Sequence, residues 1–166
     1  MSEQVIADVT FEIEQIDQLL EKYTGLLENT EKGKPSLIEV TALGSVLHSF
    51  YNGLENIFTT IAKDLDGDMP DSTQWHRDLL NRMTQTTPKR KSVLASETAE
   101  QLADYLSFRH FFRHSYSFFL EWDELEELVM PLAQLWSKTK IEIQAFLNSL
   151  TGSETETHQN GEGNYL

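Results

Sequence analysis

The chain has 166 residues, of which 39% are hydrophobic and 24% are charged, and its formal net charge is −14. This length fits one domain, and the apolar fraction is enough for a core, which excludes a fully disordered chain. No cysteine, no signal sequence and no apolar run of 18 residues is present, which excludes thiol chemistry and disulfide scaffolds and predicts a cytoplasmic protein without a membrane partner.

Two long apolar seams dominate the first part of the chain. Apolar residues recur with alternating spacings of three and four from Ile6 to Leu27, and again from Val40 to Ile61. This period of 3.5 residues predicts two amphipathic helices, which Gly and Pro residues between positions 33 and 35 separate. Because the link is short, we expect the two helices to pack as an antiparallel pair.

Three further helices are expected in the second part of the chain. A short third helix has Trp75, Leu79 and Met83 on one face, and a fourth starts near Ser96, a residue type that caps helix N-termini. A fifth helix runs over residues 123–150 and contains Pro131, which predicts a kink.

The chain therefore reads as an all-α bundle of four to five helices that spans residues 1–150. No stretch shows the alternation of apolar and polar residues that is typical of a strand. Residues 151–166 contain three Glu, three Gly and no basic residue, a composition that predicts a disordered acidic tail.

The charge is unevenly distributed. Residues 77–113 hold seven basic and four acidic residues, a net charge of +3, so the rest of the chain carries −17. One positive region on an acidic body is typical of a local anion site, not of a surface that coats nucleic acid. A chance scatter of charges is the alternative interpretation.

The densest group of chemically active residues lies in that region and just after it: Arg109, His110, Arg113, His114 and Tyr116. Arginine supplies a permanent cationic fork for phosphate, and histidine supplies an acid or base near neutral pH. These two residue types suffice to cleave RNA without a metal ion. Histidine takes the proton of the ribose 2′-hydroxyl, and arginine stabilises the charge that develops on the phosphoryl oxygens.

The helical geometry limits how these residues can act together. On an ideal helix, Arg109, Arg113 and Tyr116 share one face, whereas His114 lies about 140° from Arg109. A site that contains both therefore requires that the helix ends or bends near residues 110–114, or that a second subunit completes it.

Other roles for the histidines remain open. His110 and His114 are four residues apart, a spacing that can hold zinc with Glu121 or Asp123, but the flanking arginines would repel a cation. His76, beside Trp75, is interpreted as structural. His48 follows the seam position Leu47, so it either reaches into a dimer cleft or is simply half-buried.

Arg109-x4-His114-x-Tyr116 resembles the R-x4-6-H-x-Y motif of the HepT-like ribonuclease toxins of the HEPN superfamily, and His110 fits the polar position after the motif arginine. Three further segments resemble cyanobacterial-type HepT proteins: residues 54–58, Asp66-Gly67 and residues 75–80. The resemblance covers roughly residues 1–150.

The resemblance implies a HEPN-type bundle that forms a homodimer and places two copies of the motif in a shared cleft. Arg109 and His114 would be the catalytic pair of a metal-independent RNA endonuclease that leaves a 2′,3′-cyclic phosphate, with no cofactor. His110 and Arg113 would support the site. Transfer RNA is one candidate substrate.

The resemblance also implies a partner, namely a minimal nucleotidyltransferase antitoxin that transfers AMP from ATP onto Tyr116. AMP beside Arg109 and His114 would put phosphate and bulk where RNA must bind. The alternative is a non-catalytic helical module that binds a protein partner or a nucleotide, for which the acidic surface and the aromatic residues would suffice.

Overall fold

The computed structural model describes residues 1–116 and 119–159, with side chains as far as residue 152. The α-helices in this part of the chain are α1 (Ser2–Lys22), α2 (Thr24–Asn29), α3 (Leu37–Ile61), α4 (Trp75–Arg82), α5 (Ser96–His114), α6 (Trp122–Val129) and α7 (Leu132–Gln159). No strand occurs in these residues, and the one β feature is an isolated bridge between Thr87 and Arg90. The predicted all-α bundle is confirmed.

Helix α3 is the central element and contacts α1, α4, α5 and α6. Its start is fixed by a capping box in which Ser36 and Glu39 each accept a hydrogen bond from the backbone N–H of the other. The predicted seam from Val40 to Ile61 is buried along its whole length. A single π-helical turn, Ala62–Asp66, continues the helix into the loop before α4.

Two glycines of α3 allow its neighbours to approach closely. A Cβ atom at Gly53 would lie 2.7 Å from Cγ1 of Ile16, which is buried on α1. A Cβ atom at Gly44 would lie 3.0 Å from the Phe112 ring and 3.1 Å from Leu120. At Gly44, the end of α5 and Leu120 therefore pack directly against the backbone of α3.

The N-terminal helix is shorter than its seam predicts. One helix was expected from Ile6 to Leu27, but α1 ends at Lys22 and the short α2 follows Tyr23, whose side chain is exposed. The Thr24 hydroxyl donates to the Leu20 carbonyl, a local hydrogen bond that competes with helix continuation, and glycine follows at position 25.

The C-terminal helix is divided where a kink was expected. Helix α6 ends at Val129 and α7 begins at Leu132, because Pro131 lacks an N–H and its ring collides with the carbonyl four residues earlier. Helix α7 extends to Gln159, so the disorder predicted for residues 151–166 is wrong for residues 151–159, and residues 160–166 lie outside the described residues. None of the described helices combines the length and apolar character that a bilayer span requires.

Candidate functional site

The candidate site is built on the C-terminal half of α5. The start of this helix is held by Glu142 of α7, whose carboxylate accepts hydrogen bonds from the Ala95 N–H and the Thr98 hydroxyl, both at 2.6 Å. Helix α5 ends at His114, because Ser115 adopts an extended conformation. The end of the helix falls in the range that the sequence predicted, but Arg109 and His114 both still lie on α5, and completion of the site by a second subunit stays a prediction.

Arg109 lies in the interior and is only 4% exposed. Its Nη1 donates to Glu55 Oε1 and to Asn52 Oδ1, both at 3.0 Å, and its Nη2 donates to Glu55 Oε2 at 2.9 Å. This bidentate pair joins α5 to α3. Because a buried guanidinium is stable only when it is paired and hydrogen-bonded, Glu55 is the residue that allows Arg109 to lie here.

His76 of α4 joins the same carboxylate. Its Nδ1 lies 2.8 Å from Glu55 Oε2 and 2.9 Å from Arg109 Nη2. A protonated Nδ1 donates to Glu55, whereas an unprotonated Nδ1 accepts from Arg109 Nη2, so the two contacts favour opposite tautomers. His76 Nδ1 and Arg109 Nη2 both lie within hydrogen-bond distance of Glu55 Oε2, and three helices meet at this carboxylate.

Tyr51 forms the floor of this cluster. The Arg109 guanidinium carbon lies 5.0 Å from the centroid of the Tyr51 ring, within the range of a cation–π contact. The Tyr51 hydroxyl is buried and has no hydrogen-bond partner among the described residues. Burial, reinforced by the Glu55 carboxylate, raises the pKa of Tyr51 well above its ordinary value, so the phenol is neutral.

A cavity of about 650 Å³ opens between α4 and α5, and we call it the α4–α5 cavity. Helix α5 contributes Arg109, His110, Arg113 and His114 to its lining, and the opposite side includes Trp75, His76 and Arg77. The predicted catalytic pair, Arg109 and His114, thus lines one cavity within a single chain. Its volume falls in the range of pockets that hold a nucleotide-sized ligand.

The remaining candidate residues lie around this cavity. The rings of His110 and His114 are 4.6 Å apart at their centroids, on successive turns of α5. The side chain of Tyr116 is 73% exposed and follows the end of α5 by two residues. Tyr116 does not contribute to the cavity lining.

His48 is half-buried on α3, and its Nδ1 lies 3.3 Å from the Asn52 side-chain nitrogen. Burial, followed by the charges of Arg109 and Arg113, lowers the pKa of His48 below its ordinary value of 6.5. The neutral imidazole is therefore favoured, and His48 is not part of the cavity lining.

Among the described residues, no third ligand joins His110 and His114 in the zinc site considered as an alternative. In the part of the chain that the structure describes, which includes Glu121 and Asp123, no three His, Asp or Glu side chains form a group that could hold a metal ion.

The positive region is smaller in three dimensions than in the sequence. Arg90 and Arg82 pair with the acidic residues Asp66 and Asp68 of the loop before α4, and Arg109 pairs with Glu55. Three of the seven basic residues in the 77–113 window are thus neutralised by acids outside it. Arg77 and Arg113 remain exposed at the α4–α5 cavity.

Asn52 and Glu55 were not predicted as site residues, and His76 was interpreted as structural. Its expected contact with Trp75 is present, since the two rings stack at 3.5 Å. A signal for Glu55 does exist. It is the only charged residue between positions 40 and 61, a stretch that forms the central buried helix, and a lone carboxylate there requires a cationic partner.

A family model described as "HepT-like protein" matches residues 42–150, about two thirds of the chain. The matched region contains every residue that the structure gathers around the Glu55 carboxylate and the α4–α5 cavity. No curated protein and no solved structure matches the chain.

Proposed function

Because the chain belongs to the HepT-like family of HEPN-superfamily toxins, we propose that it is an RNA endonuclease that cleaves without a metal ion, in the cytoplasm, as the toxin of a toxin–antitoxin pair. The observation that carries this proposal is the α4–α5 cavity, which is lined by both Arg109 and His114 together with further cationic and imidazole groups. RNA is the substrate class that such a lining favours, and transfer RNA is one candidate.

The proposed reaction is an attack within the RNA chain. His114 takes the proton of the ribose 2′-hydroxyl, and the 2′-oxygen forms a bond to phosphorus as the bond from phosphorus to the 5′-oxygen breaks. The leaving 5′-oxygen takes a proton. The products are a 2′,3′-cyclic phosphate and a 5′-hydroxyl, so no water is consumed in this step and no cofactor is needed.

Arg109 would stabilise the charge that develops on the phosphoryl oxygens. Three of its N–H groups are bonded to Glu55 and Asn52, which fix the guanidinium in one orientation. Its Nε has no partner among the described residues, and we assign this donor to a phosphoryl oxygen. A donor fixed beforehand costs no reorganisation during the reaction, which is the condition for efficient electrostatic stabilisation. Arg113, with His110 beside it, would bind the flanking phosphate.

The proposed control acts through Tyr116. A minimal nucleotidyltransferase antitoxin would transfer AMP from ATP onto its hydroxyl. The high exposure of Tyr116 supports access by a second protein. An AMP group here would bring negative charge two residues beyond His114, which lines the α4–α5 cavity, and we expect it to compete with RNA phosphate for Arg113. The protein is proposed to act as a homodimer, and the exposed Phe111 and Phe119 near Tyr116 supply apolar surface for that contact.

Growth inhibition tests this proposal in cells. Induced expression of the wild-type chain should arrest growth, and His114→Ala should abolish the arrest. Asp17→Asn, which alters an ion pair between α1 and α7 remote from the cavity, is the matched control and should remain toxic. Co-expression with a nucleotidyltransferase encoded beside the gene should restore growth and add AMP to Tyr116. Toxicity that persists in His114→Ala would contradict the proposal.

One observation favours the alternative of a non-catalytic helical module that binds a protein partner or a nucleotide. Arg109 is buried and already paired, as expected of a structural arginine. In that case the purified chain would bind a nucleotidyltransferase and leave RNA intact, and Arg109→Ala would change only stability or partner affinity.

A further inference from the structure

His76 is held in an unusual way for a structural histidine. Its Nδ1 lies 2.8 Å from a buried carboxylate oxygen, its ring stacks on Trp75 at 3.5 Å, and its side chain is still 35% exposed. The two ring nitrogens lie on opposite edges of the imidazole. With Nδ1 engaged by Glu55, Nε2 is the nitrogen left for a ligand, and it has no hydrogen-bond partner among the described residues.

This arrangement is the one that prepares a histidine for proton transfer. A carboxylate on Nδ1 fixes the tautomer and the orientation of the ring and stabilises the imidazolium. His76 also lines the α4–α5 cavity, on the side opposite His114. His110 lines the cavity as well, but no carboxylate contacts it among the described residues, and its nearest ring is another histidine.

The chemistry of RNA cleavage requires two proton transfers. One group must take the proton of the 2′-hydroxyl, and another must give a proton to the 5′-oxygen, which is a poor leaving group as an anion. The family motif supplies one histidine per chain, His114. The second group is then either a histidine from a second copy of the motif in the proposed homodimer, or a further group that faces the same cavity within one chain.

We propose that His76 is the general acid of the cleavage reaction, that its Nε2 protonates the leaving 5′-oxygen, and that Glu55 is its positioning residue. This inference rests on the proposed function. In the step, His114 gains the 2′-hydroxyl proton and His76 loses one, so the total number of protons on the protein is unchanged. Exchange with water then returns both residues to their starting states.

The charged groups near His76 come from three helices. They are Glu55 on α3, Arg77 on its own helix, and Arg109, His110, Arg113 and His114 on α5. Because several of these groups also titrate or carry charge, a pH profile alone cannot assign a proton transfer to His76. The test therefore uses a change in the leaving group.

The test compares two substrates with the full-length protein in EDTA. The first is an RNA oligonucleotide, and the second is uridine 3′-(4-nitrophenyl phosphate), whose leaving group departs without a proton. His76→Asn is the informative variant, because the asparagine side-chain N–H can replace Nδ1–H toward Glu55 but cannot transfer a proton. Asp17→Asn is the control for a change remote from the cavity, and His114→Ala is the control for loss of the base.

We expect His76→Asn to cleave RNA about 10²–10⁴-fold more slowly than the wild type, and to cleave the nitrophenyl ester at close to the wild-type rate. His114→Ala should lose both activities, and Asp17→Asn should retain both.

Two results would overturn the proposed role of His76 without overturning the proposed function. One is RNA cleavage by His76→Asn at the wild-type rate, and the other is an equal loss on both substrates, which would assign His76 a structural role. A wild-type protein that cleaves neither substrate would instead overturn the proposed function, and this inference with it.

Discussion

Glu55 is the residue on which the account of the site can be tested without any substrate. It is the buried partner of Arg109 and accepts two hydrogen bonds from it, and His76 Nδ1 lies 2.8 Å from its Oε2. We consider Glu55→Leu, which keeps a side chain of similar size and removes the charge. The variant leaves the Arg109 guanidinium without a counter-ion in the protein interior.

The expected cost follows from that burial. Removing one partner of a buried ion pair destabilises a protein by about 3–5 kcal/mol, mostly because the other charge remains unpaired. For a chain of this size, 1 kcal/mol lowers the melting temperature by about 2–4 °C, so Glu55→Leu should lower it by about 6–20 °C. By comparison, Asp17→Asn removes a partly exposed charge that pairs with Lys140 and keeps an oxygen that can accept from the Trp136 indole N–H, so it should cost no more than about 1 kcal/mol.

The assay is urea unfolding followed by far-ultraviolet circular dichroism, with Asp17→Asn as the matched control. A second variant, Glu55→Leu with Arg109→Met, removes both charges, and it should recover most of the lost free energy of unfolding. The reasoning would be refuted if Glu55→Leu cost no more than the control, or if the double variant were less stable than Glu55→Leu alone.

Three further predictions concern packing, pH and modification. Gly53→Ala should lower the free energy of unfolding by about 1–3 kcal/mol, because its Cβ would lie 2.7 Å from buried Ile16; Gly25→Ala, with no atom within 4 Å, should be neutral or slightly stabilising in the same urea titration. Burial and the nearby Arg109 and Arg113 charges lower the pKa of His48 below 6.5, so its contribution to stability is present above pH 6.5 and lost as the pH falls through the folded-state pKa. The loss of unfolding free energy between pH 7 and pH 5 should therefore be smaller in His48→Asn than in the wild type. An equal loss in the two proteins would contradict this interpretation. Tyr116→Phe should keep the fold and block the mass gain of one or more AMP groups on co-expression with the nucleotidyltransferase; modification at another residue would show that Tyr116 is not the acceptor.

Much of the fold follows from local sequence signals. The seam from Val40 to Ile61 predicted the buried face of α3 from its own spacing. The start of α5 near Ser96 was also predicted, although Ala95 is the N-cap and the distant Glu142 accepts the hydrogen bonds there. The break at Pro131 was predicted at the correct position. It was expected as a kink within one helix, whereas the structure has two separate helices there. The break after Lys22 was not predicted, since the seam continues through Tyr23 and the side-chain hydrogen bond of Thr24 interrupts the helix locally.

The site was predicted only in part, because its organisation depends on contacts between distant segments. The sequence placed Arg109 and His114 in one motif, but not the burial of Arg109, which depends on Glu55, 54 residues earlier in the chain. A lone carboxylate in an apolar helix signals a buried ion pair, but it does not identify which of the 13 basic residues is the partner. The role of His76 depends in the same way on α4 lying across both α3 and α5.

The central claim is metal-independent RNA cleavage in the α4–α5 cavity, and the chemistry of the new RNA ends tests it most directly. The purified protein should cut RNA in excess EDTA and leave a 2′,3′-cyclic phosphate on one fragment and a 5′-hydroxyl on the other, and folded His114→Ala should produce neither. Cleavage that requires an added divalent metal ion, or that persists unchanged in His114→Ala, would contradict the account.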